Sequence, residues 1–318
     1  MSSSGLGPAD EEYPEDAERT SAIDLDRLCQ LLEELAPLRL AESWDNVGLL
    51  VGDRRRPVRR LMTCLTITPQ VVQEAVARRT DLIVAHHPFP FKPLNRITAD
   101  TPIGGMLLDL IAGGVAVYSA HTAFDSSAAG INQQWAEGLD LKDIRPLIPF
   151  DASAASIPEQ AGLATDSSTD LARLTGVQAS VGGGRYGRLE EPLSLEKLGD
   201  RAALFSGAGS CRIVGSGAGI ANVGIACGSG GGFLSAAKAC GCQALITGEA
   251  TFHACLEAAA IGVGLVLVGH YASERFAMER LAGTLTAAFK QAELDLLVYA
   301  SLADSDPLRT LIPPDCER

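Results

Sequence analysis

Three runs of small aliphatic residues in this chain stop at a histidine. DLIVA runs into the adjacent pair His86–His87, VAVYSA into His121, and GLVLVG into His270. Short apolar runs of this kind, bounded by turns, are how the fully buried strands of a parallel sheet read in sequence. Four of the chain's five histidines therefore fall where a buried strand is predicted to end. Two of them are followed four residues later by a carboxylate, giving His121 with Asp125 and His270 with Glu274. Imidazoles and carboxylates gathered at strand ends are the donor set of a divalent-metal site.

The order of elements repeats. An amphipathic helix over residues 24–36 and a strand at NVGLLVG come first. Then follow strand LMTCLTI, helix PQVVQEAVARR with Pro69 at its first position, strand DLIVA, helix PIGGMLLDLIAGG, strand VAVYSA and helix GINQQWAEGL. The second half runs through strand ANVGIAC, glycine turn GSGGG, helix FLSAAKACG, strand ALITGE, helix ATFHACLEAAAIG and strand GLVLVG. Pairing Cys64 with Ala226 and His87 with Glu249 gives one offset of 162 residues, and His121 with His270 gives 149. The difference matches a long loop after His87 that the second half lacks. The expected fold is α/β, with two related halves and largely parallel sheets packed around a metal cleft. The expected plan is an acidic tail over 1–20, a first half over 21–149, a connector over 150–185, a second half over 186–300 and a C-terminal tail over 301–318.

Composition narrows the classes of function. A formal charge of −13 argues against a sequence-independent grip on nucleic acid. No window approaches eighteen continuous apolar residues, so no membrane span is expected. The acidic N-terminus lacks the apolar stretch of a secretory signal, which makes the cytoplasm the expected location. The eight cysteines then read as reduced thiols.

The His-x-x-x-acid spacing is weak alone. The chain has 39 acidic residues, and His253 with Glu257 shows the same spacing as an ordinary helix pair. Matching positions in the two halves set His121/Asp125 and His270/Glu274 apart; the bland alternative is polar caps at strand-to-helix junctions. Adjacent strand residues point to opposite faces, so His86 and His87 call for two metals, or for one metal and a supporting contact. Four histidines and two carboxylates suit two divalent ions, with zinc, iron, manganese, cobalt and nickel all compatible. Magnesium or calcium would call for more oxygen donors.

The segments ESWDNVGLLVGD, DLIVAHHPFPF, YSAHTAFD, ITGEATFHA and GHYASE occur in this order. As a set they closely resemble the Nif-three-like family of dinuclear metal proteins, a family that also goes by GTP cyclohydrolase 1 type 2. The resemblance covers roughly residues 24–290. It implies two related α/β halves, two metal ions in the cleft between them and a ring-shaped homohexamer. The metal ligands it implies are His86, His87, His121, Asp125, His270 and Glu274. The chain departs from the family pattern at Thr66, where Asp is usual, at Ala123, where Asn is usual, and at Phe252, where a histidine is usual. It also has too little sequence between the halves to hold the inserted domain of larger members.

Glu249 and His253 are the candidates for proton transfer, the alternative being support of the ligands. Two other motifs fail. ANVGIACGSGGGFLSAAK has Phe233 where a dinucleotide-binding turn needs its third glycine, and Cys240-Gly-Cys242 lacks a second close pair for zinc. The arginines of residues 54–60 read as a solvated loop. Two functional classes remain: a metal-dependent hydrolase acting on a nucleotide or another phosphorylated small molecule, and a non-catalytic metal-binding or partner-binding scaffold.

Overall fold

A computed structural model describes residues 22–150 and 181–311. The expectations for the acidic tail, for 151–180 of the connector and for 312–318 lie outside these residues. The apolar runs form two sheets. The first contains β1 (Gly48–Val51), β2 (Arg60–Cys64), β3 (Leu82–Ala85), β4 (Ala116–Ser119) and β11 (Leu297–Ala300), ordered β11-β2-β3-β4-β1. Only β1 runs antiparallel to its neighbour.

The second contains β5 (Lys142–Arg145), β6 (Arg185–Leu193), β7 (Arg212–Val214), β8 (Ile220–Ala226), β9 (Ala244–Thr247) and β10 (Gly264–Leu267), ordered β7-β10-β9-β8-β6-β5. Its central trio β8-β9-β10 is parallel. In each sheet three parallel strands lie side by side in chain order, and an antiparallel strand flanks the third.

Strand alternation decides where the cores sit. Leu61, Leu82, Val84 and Tyr118 face a central core, and so do Val223, Ile225, Ile246 and Val266 of the second sheet. Their neighbours Met62, Ile83, Ala85 and Val117 face a separate outer cluster under α2 (Pro69–Ala77) and α3 (Pro102–Gly113). Leu245, Leu265 and Leu267 do the same under α7 (Leu234–Ala239) and α8 (Phe252–Ile261). This two-sided burial is why these strands read as unbroken apolar runs.

The central core is filled by α1 (Leu25–Leu35), α5 (Ile131–Gly138), α6 (Leu195–Ser206) and α9 (His270–Gln291). Polar atoms lock α9 to the first half: Thr63 Oγ1 donates to Met278 O at 2.8 Å, and Trp135 Nε1 to Ser273 O at 2.7 Å. Helix starts follow local chemistry. Thr68 and Thr101 each accept an amide from the first turn of α2 and α3, which begin with Pro69 and Pro102.

Arg185, at the start of β6, is wholly buried, and among the described residues it has no carboxylate partner. Its guanidinium instead donates to the carbonyls of Gly182, Gly184, Ser126 and Ser127 and to Gln133 Oε1. It thereby ties the second sheet to the loop after α4 (His121–Ser126). Burial lowers its pKa to about 10, which still leaves it charged at neutral pH. No helix among the described residues is long and apolar enough to cross a membrane.

Candidate metal centre

The carboxyl ends of the two parallel trios meet, and six polar side chains converge there. His86 and His87 follow β3, His121 and Asp125 lie on α4 after β4, and His270 and Glu274 open α9 after β10. The tightest part is a triangle. His87 Nε2 lies 3.4 Å from His270 Nε2 and 3.3 Å from Glu274 Oε2, and His270 Nε2 is 3.1 Å from the same oxygen. Ligands about 2.0–2.2 Å from one tetrahedral ion sit about 3.2–3.6 Å apart, so the triangle has ligand spacing.

The other carboxylate oxygen faces elsewhere. Glu274 Oε1 is 3.8 Å from His86 Nε2, which is 3.7 Å from Asp125 Oδ1. His86, His87 and His121 form a second group whose donor atoms lie within 4.8 Å of one another. The expectation that His86 and His87 diverge fails because β3 ends at Ala85 and the chain bends at both histidines. Their rings lie 5.1 Å apart, and both reach the cluster.

Each outer histidine is aimed by a partner on its other nitrogen. Asp45 accepts from His121 Nδ1 at 2.8 Å, and also from the amide and hydroxyl of Thr122. A carboxylate can only accept, so Nδ1 carries a proton and Nε2 is the nitrogen left for the cluster. Glu249 Oε1 does the same for His270 Nδ1 at 2.9 Å while accepting from Ser229 Oγ. Thr66 Oγ1 lies 2.7 Å from His87 Nδ1. His121 itself has φ +33°, a conformation costing a non-glycine residue about 1–3 kcal/mol, and its Asp45 bond helps hold it. Asp125 Oδ1 accepts the Cys227 thiol at 3.2 Å.

Electrostatics mark the cluster as a place for positive charge. Burial pushes the Asp125 carboxyl up to about 7, with the negative charge of Glu274 adding to it. Burial would raise Glu274 too, but the His270 and His87 imidazoles beside it outweigh that and hold the carboxyl well below its usual range. The bond to Glu274 raises His270 to about 9. Burial drives His86 far below the ordinary imidazole value, so it is neutral, and among the described residues neither of its ring nitrogens has a hydrogen-bond partner. A buried neutral imidazole with an unused lone pair facing two carboxylates suits a cation rather than a proton. The residues present fit a divalent metal.

Of the eight residues singled out in the sequence, seven come together. Six form the cluster, and Glu249 stands behind His270. His253 does not join them: it is exposed in the first turn of α8, against Phe252, and among the described residues no hydrogen bond or ion pair links it to the cluster. Sequence reading passed over Asp45, and it treated Thr66 only as a departure. It also passed over Asp304, whose carboxylate accepts from the Leu65 amide and sits 3.1 Å from Arg275 Nε.

Two sheets with parallel cores, joined at their carboxyl ends by a histidine–carboxylate cluster, define an α/β protein with a candidate metal site. The model of the Duf34/NIF3 (NGG1p interacting factor 3) family matches residues 23–307, and the chain belongs to that family. The Clostridium acetobutylicum protein named GTP cyclohydrolase 1 type 2 homolog is 30% identical over 283 residues, which cover 89% of this chain and 97% of that one. The NIF3 homolog of Schizosaccharomyces pombe is 30% identical over 294 residues, covering 90% and 97%. A hypothetical protein of Staphylococcus aureus superposes with a TM-score of 0.76 at 28% identity, over 92% of this chain and all of that one. A Bacillus cereus protein related to NIF3 shares the fold, with a TM-score of 0.78 at 22% identity.

Proposed function

We propose that this chain binds two divalent metal ions and is a metal-dependent hydrolase of a nucleotide or another phosphorylated small molecule. The observation that carries the reading is the split of Glu274, whose two oxygens face two different sets of histidines. A carboxylate so placed would be able to serve two ions. His87, His270 and Glu274 would hold one, and His86, His121, Asp125 and the other oxygen of Glu274 would hold the second. When bound, such ions lower the pKa of a water and polarise a phosphoryl or ring-carbon electrophile.

The chain's own residues supply aim and exclusion. Asp45, Thr66 and Glu249 fix the three outer imidazoles, while the buried His86 closes the inner side. Glu249 is read as the support of His270, and His253, which no bond among the described residues links to the cluster, is given no role in this proposal. Six protein ligands over two ions leave positions for water and substrate, which favours an enzyme over a closed storage site. The names of the relatives lend the hydrolase reading its substrate class. A homohexamer belongs to the same proposal, and light scattering of the purified chain tests it.

Metal analysis of purified protein tests the centre, alongside a His87→Ala/Glu274→Ala double variant and a screen of nucleotides and phosphorylated metabolites. Close to two metals per chain, lost in the variant together with a turnover, supports the whole reading. Two metals with no turnover leaves a binding protein, and no metal in either protein sinks it.

A further inference from the structure

The rim of the cluster carries two aromatic rings that the centre itself does not use. Trp44 is 62% exposed and Phe91 is 51% exposed. Large aromatics left this open need a reason, because each would gain by burial. Both touch the same imidazole: Trp44 lies 6.0 Å and Phe91 6.2 Å from the ring of His121, each edge-on. Their own centroids are 6.3 Å apart at a 51° tilt. They already touch, so a third ring has no room between them and would lie against their open faces.

The pair is held in place rather than left on loose loops. Asp45, next to Trp44, has a fully buried side chain bound to His121 and Thr122. Asn46 donates from Nδ2 to the carbonyl of Pro90, the residue before Phe91, at 3.0 Å. Glu42 N–H donates to Thr122 Oγ1 at 3.0 Å. Bonds from three residues thus tie the Trp44 segment to the start of α4 and to the loop that follows His87. Rings fixed in this way meet a ligand without losing freedom, and aromatic faces on such platforms stack any planar base.

We infer that Trp44 and Phe91 form the base-stacking half of the substrate site, taking the planar heteroaromatic ring of a nucleotide whose phosphorylated end lies on the histidine–carboxylate centre. This rests on the metal-dependent reading of that centre. It narrows the substrate class from phosphorylated small molecules in general to those with a flat ring.

The chain carries its own reporter. It has two tryptophans, and Trp135 is fully buried, so Trp44 is the one that solvent and ligands can reach. Fluorescence of the full chain is titrated with GMP, AMP and ribose 5-phosphate, and metal content is measured on the same samples. Quenching by both nucleotides but not by ribose 5-phosphate is the expected result. By calorimetry, Trp44→Ala should bind GMP about five- to a hundredfold more weakly, and Trp44→Phe should recover most of the loss.

Equal binding of ribose 5-phosphate and GMP overturns the inference, and so does unchanged GMP affinity in Trp44→Ala. Trp44 emission that is shielded and concentration-dependent also overturns it, because a second copy then covers the rings. Quenching by nucleotides in a protein that holds no metal keeps the stacking site but removes the metal-dependent reading. Two metals without quenching does the reverse.

Discussion

Asp45→Asn changes one atom in a side chain with no solvent exposure, and its effect can be worked out from the contacts. The wild-type carboxylate accepts from His121 Nδ1 at 2.8 Å and from the Thr122 amide at 3.1 Å. An asparagine has one oxygen for these two donors. With its amide nitrogen toward the imidazole, it donates to Nδ1 and drives the ring proton onto Nε2, the atom that would face a metal in the proposed centre. With its oxygen toward the imidazole, it leaves the Thr122 amide facing another donor, which costs about 1–3 kcal/mol. The first arrangement loses the tautomer of His121, the second loses a buried partner, and both lose the negative charge that sharpens its basicity.

Loss of such a supporting bond costs about 10–100-fold in metal affinity, or about 1.4–2.7 kcal/mol. Competition against a chromogenic chelator with zinc or cobalt measures it, and melting of the metal-free proteins confirms that the variant folds. A folded Asp45→Asn protein with wild-type affinity and stoichiometry would refute the assignment of His121 as a ligand that Asp45 positions.

Three further perturbations probe other links. Gly228 has φ +59°, and a Cβ there would stand 2.2 Å from Glu274 Oε1, so Gly228→Ala should displace that carboxylate and lower metal content measured by elemental analysis. Arg185→Met leaves four buried carbonyls without their donor and should destabilise the chain by more than about 3 kcal/mol in urea unfolding.

Glu74 reports on pH. Burial raises its carboxyl, but bonds from Ser301, Leu302, Ala303 and Arg78 outweigh this and leave it below the usual value. A depressed carboxyl stabilises the fold above its unfolded pKa, and that contribution is lost as pH falls through the folded value. The melting-temperature gap between wild type and Glu74→Gln should therefore be widest near pH 7 and close on acidification.

Much of this architecture was legible because both faces of the central strands are buried. DLIVA and VAVYSA had no polar face to blur the signal, and the histidines that end them mark where β3 and β4 stop. β6 was hidden for the opposite reason. Its buried face is Arg185, Gly187 and Leu189, residues that do not look like a core, and its other face is charged. β11 was missed because its pairing is long-range: Leu297 lies beside Arg60. Asp304 falls in the stretch expected to be tail, yet its carboxylate reaches the end of β2. Within the site, the ligand candidates announced themselves by spacing. Their supports did not, since Asp45 acts on a histidine 76 residues away and no local pattern encodes that contact. The bend at His86–His87 was equally invisible, because strand alternation says nothing about the residue after a strand.

The cluster draws its donors from both sheets, and His270 follows His121 by 149 residues. During synthesis the first four donors leave the ribosome well before the last two exist. A nascent first half offers at most an open arrangement of three histidines and one aspartate, without the carboxylate that spans both sets. On the proposed two-metal reading, full-strength capture would wait until α9 has been made and docked against Thr63 and Trp135. Metal content would then work as a receipt for the finished fold: a chain whose two halves have failed to meet would keep only the donors of the first.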